Sequence, residues 1–299
     1  MADNRSSPAD PPVERFAPSP SGRLHLGHAF SAMLAHDAAR AAGGRFLLRI
    51  EDLDAGRSRE GFAAAIAEDL RWLGLRWDGP VLRQSGRADA YAQALARLEA
   101  LGVLYPCGCT RADIAAAAAA PQEGADAPPV YPGTCRNRTA PPDGPVAQRL
   151  DLARALEALG PSLPRLGFTE IGAGPQGETG WRPLDPDALL RREGDAVLAR
   201  KDAAAAYHLA VVVDDAAQGV THVTRGEDLF AATALHVVLQ ALLGLPTPAY
   251  RHHRLIRDAS GQRLAKRDDA RSLASLRDAG ASPDDVRAMV GLAPAETAP

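Results

Sequence analysis

Apolar positions near the start of the chain follow a helical period between two short apolar runs. After a Pro/Ser/Gly-rich turn, four residues share one face of a 3.6-residue period, namely Phe30, Met33, Leu34 and Ala38. This spacing predicts a helix that ends at the glycine pair 43–44. The runs Arg15–Ala17 and Arg45–Ile50 predict flanking strands, and a right-handed crossover would make these strands parallel.

Similar patterns predict further elements along the chain. Ser58 can cap a second helix, and a third is expected from about Arg87 to Leu101. Later, the continuous apolar run His208–Val213 is typical of a buried parallel strand. A short strand at Val220–Thr224 and a helix at Phe230–Leu243 follow it. The pattern therefore predicts an α/β fold with a doubly wound parallel sheet.

Composition divides the chain into segments. Residues 1–13 are polar and hold three prolines, which predicts a disordered tail. Residues 121–145 hold seven of the 24 prolines, so they cannot be regular structure. We therefore expect an insertion at 105–205 between two halves of one parallel-sheet domain, residues 14–104 and 206–270, with a short helical segment at 271–299.

Charge and composition exclude several classes of protein. The chain carries 34 Lys and Arg against 37 Asp and Glu, so its net charge of −3 argues against a non-specific nucleic-acid coat. No apolar run reaches the ~20 residues that a membrane span needs. The first fifteen residues contain no apolar signal-peptide core. We therefore expect a cytoplasmic protein without membrane contact, and we expect it to be a monomer.

His25 and His28 lie three residues apart at the start of the predicted helix. Both imidazoles therefore face one way, beside the free backbone N–H groups and the positive dipole end of the helix. Gly27 between them lets a flat ligand approach the backbone closely. This arrangement favours a phosphate site, although two surface histidines at a helix cap would show the same spacing.

A basic run follows a glycine turn late in the chain and comprises Arg263, Leu264, Ala265, Lys266 and Arg267. Such a run is usually a solvated loop. The chain, however, has only two lysines, Lys201 and Lys266. An ammonium on a flexible stem suits a mobile clamp on phosphate, which gives Lys266 a second interpretation.

The histidine motif and the basic run together resemble the HIGH and KMSKS signatures of class I aminoacyl-tRNA synthetases. Five stretches over residues 14–270 are similar to the glutamyl branch, in the same order: RFAPSPSGRLHLGHAFSAML, RFLLRIEDLD, YHLAVVVDD, VTHVTRGEDL and RLAKR. The resemblance implies a Rossmann-like catalytic domain that uses ATP with Mg²⁺. It also implies that His25, His28 and Lys266 are catalytic, and that Gly27 joins them in binding ATP.

The same resemblance implies a glutamate pocket. Glutamate carries two carboxylates and one ammonium, so a pocket for it needs two cations and one anion. Arg15 and Arg225 can supply bidentate guanidinium contacts, and Glu51 can bind the ammonium. In the family, the pocket residues match Arg15, Phe16, Ala17, Pro18, Ser19, Glu51, Tyr207 and Arg225.

Cys107, Cys109 and Cys135 form a candidate zinc site. Three cysteines cannot all pair as disulfides, and no histidine lies between residues 37 and 207 to complete four ligands. Three unligated thiols are the alternative. The short relatives of these synthetases place a tyrosine in the fourth position, which implies Tyr131 here and one structural zinc ion per chain.

The chain continues for only 32 residues after Arg267, whereas a full glutamyl-tRNA synthetase carries an anticodon-binding domain of about 100 residues there. Together with the three cysteines, this feature resembles the glutamyl-queuosine tRNA(Asp) synthetases. That resemblance implies transfer of glutamate to queuosine in the anticodon of tRNA(Asp). Two alternatives stay open: a minimal glutamyl-tRNA synthetase that charges a 3′ end, and a non-enzymatic tRNA- or zinc-binding regulator. Intact His25, His28 and Lys266 favour an enzyme over the regulator.

Overall fold

The computed structural model describes residues 10–110, 112–114, 130–140, 142–257 and 272–294. Its strands are β1 Val13–Phe16, β2 Arg45–Ile50, β3 Leu82–Arg83, β4 Leu104–Cys107, β5 Ala147–Leu150, β6 Gly167–Glu170, β7 Gly180–Pro183, β8 Val197–Ala199, β9 His222–Gly226 and β10 Ala249–His253. Its helices are α1 Leu26–Ala41, α2 Glu60–Trp72, α3 Ala88–Ala100, α4 Leu152–Leu159, α5 Pro186–Arg192, α6 Tyr207–Ala217, α7 Ala232–Leu243, α8 Leu273–Asp278 and α9 Pro283–Met289. Within these residues, no helix has the length and apolarity needed to cross a membrane.

The described residues form two compact units. The first takes its residues from Met1–Arg83, Gly219–Glu227 and Ala249–Pro299. The second takes its residues from Gln84–Gln218 and Asp228–Pro248. Each unit is therefore assembled from separate stretches of the chain.

A parallel sheet in the order β1–β2–β3 lies in the first unit. β1 pairs in parallel with β2, with Arg15 opposite Leu47, and α1 is the crossover between them. Phe30 and Met33 on the predicted apolar face of α1 are buried in the core. The prediction of a strand–helix–strand unit with parallel strands is therefore confirmed.

The parallel pair β9–β10 also belongs to the first unit and lies beside β1. Thr221 N donates to Val13 O at 3.0 Å, and Val13 N donates to Thr221 Oγ1 at 2.9 Å. Further along, Arg15 Nη1 donates to Thr224 O at 3.3 Å. These bonds bring Arg15 on β1 and Arg225 on β9 onto neighbouring strands.

The C-terminal helices α8 and α9 complete the hydrophobic core of the first unit. Leu273, Val286 and Val290 are buried in the same apolar cluster as Phe30 and Ile66. A buried aliphatic side chain contributes about 1.5–3 kcal/mol to stability, so this packing fastens the end of the described chain to α1 and α2.

Antiparallel pairs distinguish the second unit from the first. β4 pairs with β5, β5 pairs with β8, and β6 forms a hairpin with β7. Helices α3, α6 and α7 pack against one another in this unit. The sequence pattern did not predict these antiparallel strands, because they lie in the weakly patterned middle of the chain.

The predicted strand at His208–Val213 is wrong, because these residues belong to helix α6. Leu209, Ala210, Val211 and Val212 are all buried, so the helix is apolar at consecutive positions. A continuous apolar run fits a buried helix as well as a buried strand, and periodicity alone does not separate the two.

The predicted cap of α2 is also wrong. The N-cap residue is Arg59, and no side chain makes a capping hydrogen bond there. Ser58 lies one residue earlier in a turn, where its backbone N–H donates to Asp54 O at 2.8 Å. Helix α2 thus begins one residue later than it would if Ser58 were its N-cap.

A buried carboxylate links α6 to α3 within the second unit. Asp214 on α6 is completely buried. Its carboxylate accepts hydrogen bonds from Gln84 Nε2 at 2.9 Å, from Arg87 Nε at 3.0 Å and from Tyr91 Oη at 2.7 Å. Three donors, one of them charged, offset the cost of removing this carboxylate from water.

Candidate functional site

His25 and His28 cap the N-terminus of α1 reciprocally. His25 Nδ1 accepts a hydrogen bond from Gly27 N at 3.1 Å, and His28 Nδ1 accepts one from His25 N at 3.2 Å. Their ring centroids lie 3.8 Å apart. A Cβ atom on Gly27 would lie 3.1 Å from the His25 ring, so glycine gives His25 the space to fold over the helix start.

These caps determine which ring nitrogens of the histidines can donate. Because both Nδ1 atoms accept hydrogen bonds, each neutral ring carries its proton on Nε2. Two Nε2–H donors therefore stand beside a helix N-terminus that has no acidic residue in its first turn. Imidazole donors and the positive end of the helix dipole together favour an anion such as phosphate.

Lys266, with the rest of the run 263–267, lies outside the described residues. The described residues on either side of it belong to the first unit, as the histidine motif does. Ile256 is buried in the core of this unit, and Ser272 forms a backbone bridge with His25. Next to this bridge, Leu273 N donates to Leu24 O at 2.8 Å. The chain that follows the basic run is thus fastened beside the histidines.

The two arginines predicted to bind carboxylates are both buried in the first unit. Arg15 and Arg225 are each only 6% exposed. Arg225 Nε donates to His252 Nε2 at 3.1 Å, and its guanidinium lies 5.0 Å from the ring centre of Tyr250. His252 and Tyr250 were not predicted from the sequence. They hold the Arg225 guanidinium through a hydrogen bond and a cation–π contact.

Glu51 follows β2 and has a charged partner that was not predicted from the sequence. Arg49 is completely buried, and its Nη2 donates to Glu51 Oε1 at 3.3 Å. Glu51 N donates to Pro18 O at 3.1 Å, so the turn after β1 packs against the same residue. An arginine inside the apolar run RFLLRI was the available signal, because a buried cation requires a partner.

The other predicted pocket residues occupy different surroundings. Phe16 is buried in the hydrophobic core of the first unit, with Ala17 after it, and Ser19 Oγ lies 3.4 Å from Ser21 Oγ. Tyr207 belongs to the second unit, at the start of α6. There its ring centre lies 5.2 Å from that of His208 and 5.7 Å from that of His236.

The structure brings the four predicted metal ligands together in the second unit. The sulfur atoms of Cys107, Cys109 and Cys135 all lie within 4.8 Å of one another. Tyr131 Oη lies 3.4 Å from Cys107 Sγ and 3.6 Å from Cys109 Sγ. Cys135 N donates to Tyr131 Oη at 2.9 Å. Three thiols and a phenol facing one point form a donor set that suits a thiophilic cation such as Zn²⁺.

The ionisation of this cluster is uneven. Burial opposes the Cys135 thiolate, but hydrogen bonds from Tyr131, from the Gly108 backbone and from the other thiols outweigh it and lower the pKa of Cys135 to about 7. Burial, above all, raises the pKa of Cys109 and that of Tyr131. The Cys135 thiol therefore ionises more readily than the Cys109 thiol, whereas the Tyr131 phenol keeps its proton unless a bound cation displaces it.

A buried aspartate supports the segment that carries Tyr131 and Cys135. Asp195 Oδ2 accepts from Tyr105 Oη at 2.5 Å and from Arg136 Nη2 at 2.7 Å. Arg149 Nη1 donates to Asp195 O at 2.7 Å, and its guanidinium lies 3.8 Å from the ring centre of Tyr131. These contacts join the cysteine cluster to β4 and β5. No sequence motif predicted the role of Asp195.

A family model described as "tRNA synthetases class I (E and Q), catalytic domain" matches residues 13–140 and 189–293. Residues 141–188 lie between the two matched stretches. The histidine motif, Arg15, Glu51 and Arg225 lie within the matched residues. The match places the chain among the class I tRNA synthetases, which are ligases.

Within this class the chain belongs to the family whose curated members are named Glutamyl-Q tRNA(Asp) synthetase. The relative from Rhodobacter capsulatus is 55% identical over 289 residues, covering 94% of this chain and 100% of the relative. The relative from Symbiobacterium thermophilum is 47% identical over 287 residues, covering 91% of this chain and 83% of the relative.

Two solved structures share the fold. One is a glutamate tRNA ligase from Elizabethkingia meningosepticum in complex with its amino acid, with a TM-score of 0.68 and 29% identity. The other is the glutamate-tRNA synthetase of Elizabethkingia anophelis, with a TM-score of 0.69 and 29% identity. The comparisons cover 87% of this chain and 52% and 53% of those chains, so this chain spans about half their length.

Proposed function

We propose that this ligase activates L-glutamate with ATP, without any tRNA, and transfers the glutamate to the queuosine base in the anticodon of tRNA(Asp). The observation that carries the proposal is the 55% identity to a Glutamyl-Q tRNA(Asp) synthetase over that relative's full length. The reciprocal histidine caps and the two buried arginines in the first unit supply side chains that suit ATP and glutamate.

In the activation step, an α-carboxylate oxygen of glutamate attacks the α-phosphorus of ATP. The bond from that phosphorus to the oxygen of the leaving pyrophosphate breaks, and glutamyl-adenylate forms. His25 and His28 donate from Nε2 to phosphate oxygens, and Lys266 stabilises the charge that develops on pyrophosphate. Mg²⁺ bound with ATP would neutralise part of the phosphate charge.

Charge complementarity selects the amino acid in this proposal. Arg15 and Arg225 bind the carboxylate groups of glutamate, and burial strengthens these contacts because water competes less. Glu51 binds the ammonium, and Arg49 holds the Glu51 carboxylate in a fixed orientation. Phe16, Ala17, Pro18 and Ser19 complete the proposed pocket in the first unit. Tyr207 is a further residue that the family resemblance assigns to glutamate.

In the transfer step, a hydroxyl of the queuosine cyclopentenediol attacks the carbonyl carbon of the adenylate. The bond between that carbon and the phosphate oxygen breaks, AMP leaves, and the hydroxyl proton is released. Queuosine and a terminal ribose both present a vicinal diol, so this chemistry does not distinguish them. The similarity to glutamate-tRNA ligases favours a second candidate function, the charging of a tRNA 3′ end.

The activation step is tested by pyrophosphate exchange without RNA. We expect exchange of labelled pyrophosphate into ATP that depends on glutamate and Mg²⁺, because the proposed glutamate pocket contains no RNA group. Omitting glutamate, or replacing it by aspartate, is the control. Exchange that appears only after tRNA is added would contradict the tRNA-independent step and favour the second candidate function.

We also propose that Cys107, Cys109, Cys135 and Tyr131 bind one structural zinc ion per chain. The support is the convergence of three sulfur atoms and a phenol oxygen in the second unit. Bound zinc would link the turn after β4 to the segment 131–135. The contacts of Asp195 and Arg149 already orient that segment, which reduces the entropy lost on binding.

Elemental analysis is expected to find one zinc per chain in protein purified in metal-free buffers. Cys135→Ser should lower the zinc affinity by roughly tenfold or more, because it removes one of the three thiolate ligands. Tyr131→Phe should lower it less, and Tyr91→Phe is the matched control for a buried phenol elsewhere in the unit. Absence of zinc from the wild-type protein would contradict the metal site, whereas full affinity of Tyr131→Phe would remove only the fourth ligand.

A further inference from the structure

The hairpin β6–β7 in the second unit exposes a large aromatic side chain. Trp181 is 55% exposed, more than any other large hydrophobic side chain among the described residues. An indole buries a large apolar area when it is covered, so leaving it in water forgoes stabilisation. An exposed tryptophan is therefore worth testing as a contact for a partner.

The indole of Trp181 packs against the backbone of Gly167 on the neighbouring strand β6. Trp181 pairs with Thr169, and Gly167 lies two residues further along the neighbouring strand. A Cβ atom on Gly167 would lie only 2.7 Å from Trp181 Cζ2, so the ring occupies the space above this glycine. Contact with the Gly167 backbone limits the movement of the ring, which remains exposed to solvent over half its area.

The opposite face of the hairpin is anchored to the second unit. Phe168 alternates with Gly167 and Thr169 along β6, and it is buried. Its ring packs edge-on against Phe230, with 5.7 Å between ring centres, and α7 packs against β6. The hairpin is thus a fixed element, and Trp181 stands on its solvent face.

Three exposed arginines lie on the segments that precede and follow the hairpin. Arg165, Arg191 and Arg192 are exposed on the segments that flank it, and none forms an ion pair with an acidic residue of the described chain. Acidic side chains share this stretch. Glu170 accepts from Gly172 N, Glu178 from Gln176 N and Asp185 from Ala188 N, whereas Asp187 and Glu193 lie on α5 and directly after it. None of the three arginines is paired with these carboxylates, so all three can contact phosphate groups.

The hairpin also lies in the stretch 141–188, between the two parts that match the class I catalytic domain. We propose that Trp181 is a stacking platform for an unpaired base of the RNA that accepts glutamate. This inference rests on the proposed function, because it assigns a contact to its RNA substrate. An exposed aromatic ring with arginines close by along the chain is the combination that binds single-stranded RNA, through base stacking and phosphate contacts.

The experiment compares Trp181→Ala and Trp181→Phe with the wild type and with Met289→Ala. Met289 is 51% exposed and belongs to the first unit, so it controls for loss of an exposed apolar side chain. The probe is the anticodon stem-loop of tRNA(Asp) with queuosine, used both as a substrate and, with a fluorescent label, for equilibrium binding. Pyrophosphate exchange without RNA and thermal unfolding are measured on the same proteins.

We expect Trp181→Ala to raise the Kd and the KM for the stem-loop about five- to hundredfold, the range of one base–aromatic stack. Trp181→Phe should have a smaller effect, because it keeps a ring. Pyrophosphate exchange, kcat for transfer and the unfolding temperature should stay near the wild-type values, and Met289→Ala should change none of these quantities.

Equal Kd values for Trp181→Ala and the wild type would overturn the stacking platform, as would failure of the wild type to bind the stem-loop. If the wild type transfers glutamate and Trp181→Ala keeps its KM, the inference fails while the proposed function stands. If the wild type binds the stem-loop without glutamylating it and Trp181→Ala weakens binding, the proposed function fails and the platform stands.

Discussion

Lys266→Ala is expected to slow glutamate-dependent pyrophosphate exchange by roughly 10²–10³-fold, the effect of removing one preorganised charge stabiliser from a transition state. Negative charge builds up on pyrophosphate as its bond to the α-phosphorus breaks, and a flexible ammonium can follow it. Lys266→Arg should restore little of the rate, because a planar guanidinium does not replace a compact ammonium.

Lys201→Ala is the matched control, since Lys201 is the only other lysine in the chain. Lys201 belongs to the second unit, where its Nζ donates to Gly108 O at 2.7 Å, so exchange should stay near the wild-type rate. The backbone bridge between Ser272 and His25 supports the assignment, because it fastens the chain after Lys266 beside the histidines. Wild-type exchange in both Lys266 variants would show that the KMSKS-like assignment is wrong.

Asp214→Ala is expected to lower the free energy of unfolding by about 3–5 kcal/mol. This is the cost of removing one partner of a buried ion pair and leaving the other charge without compensation. The substitution leaves the donors of Gln84, Arg87 and Tyr91 without the carboxylate that they share. Tyr91→Phe removes one of the three hydrogen bonds and should cost about 1 kcal/mol.

Urea denaturation measures these differences, with Glu157→Ala as the control for an exposed acidic residue of the same unit. Glu157→Ala should change the free energy of unfolding by less than about 0.5 kcal/mol. A change below about 1 kcal/mol for Asp214→Ala would contradict a stabilising role for this network.

Local patterns predicted the elements whose apolar residues follow a helical period or form one short run between turns. α1 has buried positions at the helical period among partly buried ones, and β2 is a short apolar run between turn residues, so both were predicted with their parallel connection. α6 is buried around most of its circumference, so its apolar residues are consecutive and show no helical period. Its sequence pattern is therefore the same as that of a buried strand.

The buried polar networks could not be predicted, because their members are far apart in the sequence. Asp195 and Tyr105 are separated by 90 positions, and Asp214 and Gln84 by 130. The spacing of Cys107 and Cys109 indicated a metal site, whereas Tyr131 was predicted as a ligand only from a family resemblance. The structure places the Tyr131 oxygen among the sulfur atoms, and its role as a ligand stays a prediction.

The identity of the acceptor RNA is the central claim, and transfer of labelled glutamate tests it most directly. Purified protein, ATP, Mg²⁺ and labelled glutamate are offered to tRNA(Asp) with queuosine, to tRNA(Asp) without it, to the queuosine-bearing anticodon stem-loop, and to tRNA(Glu). We predict that label enters tRNA(Asp) with queuosine and its isolated stem-loop, and neither of the other RNAs. Label confined to the 3′ end of tRNA(Glu) would contradict the proposed function.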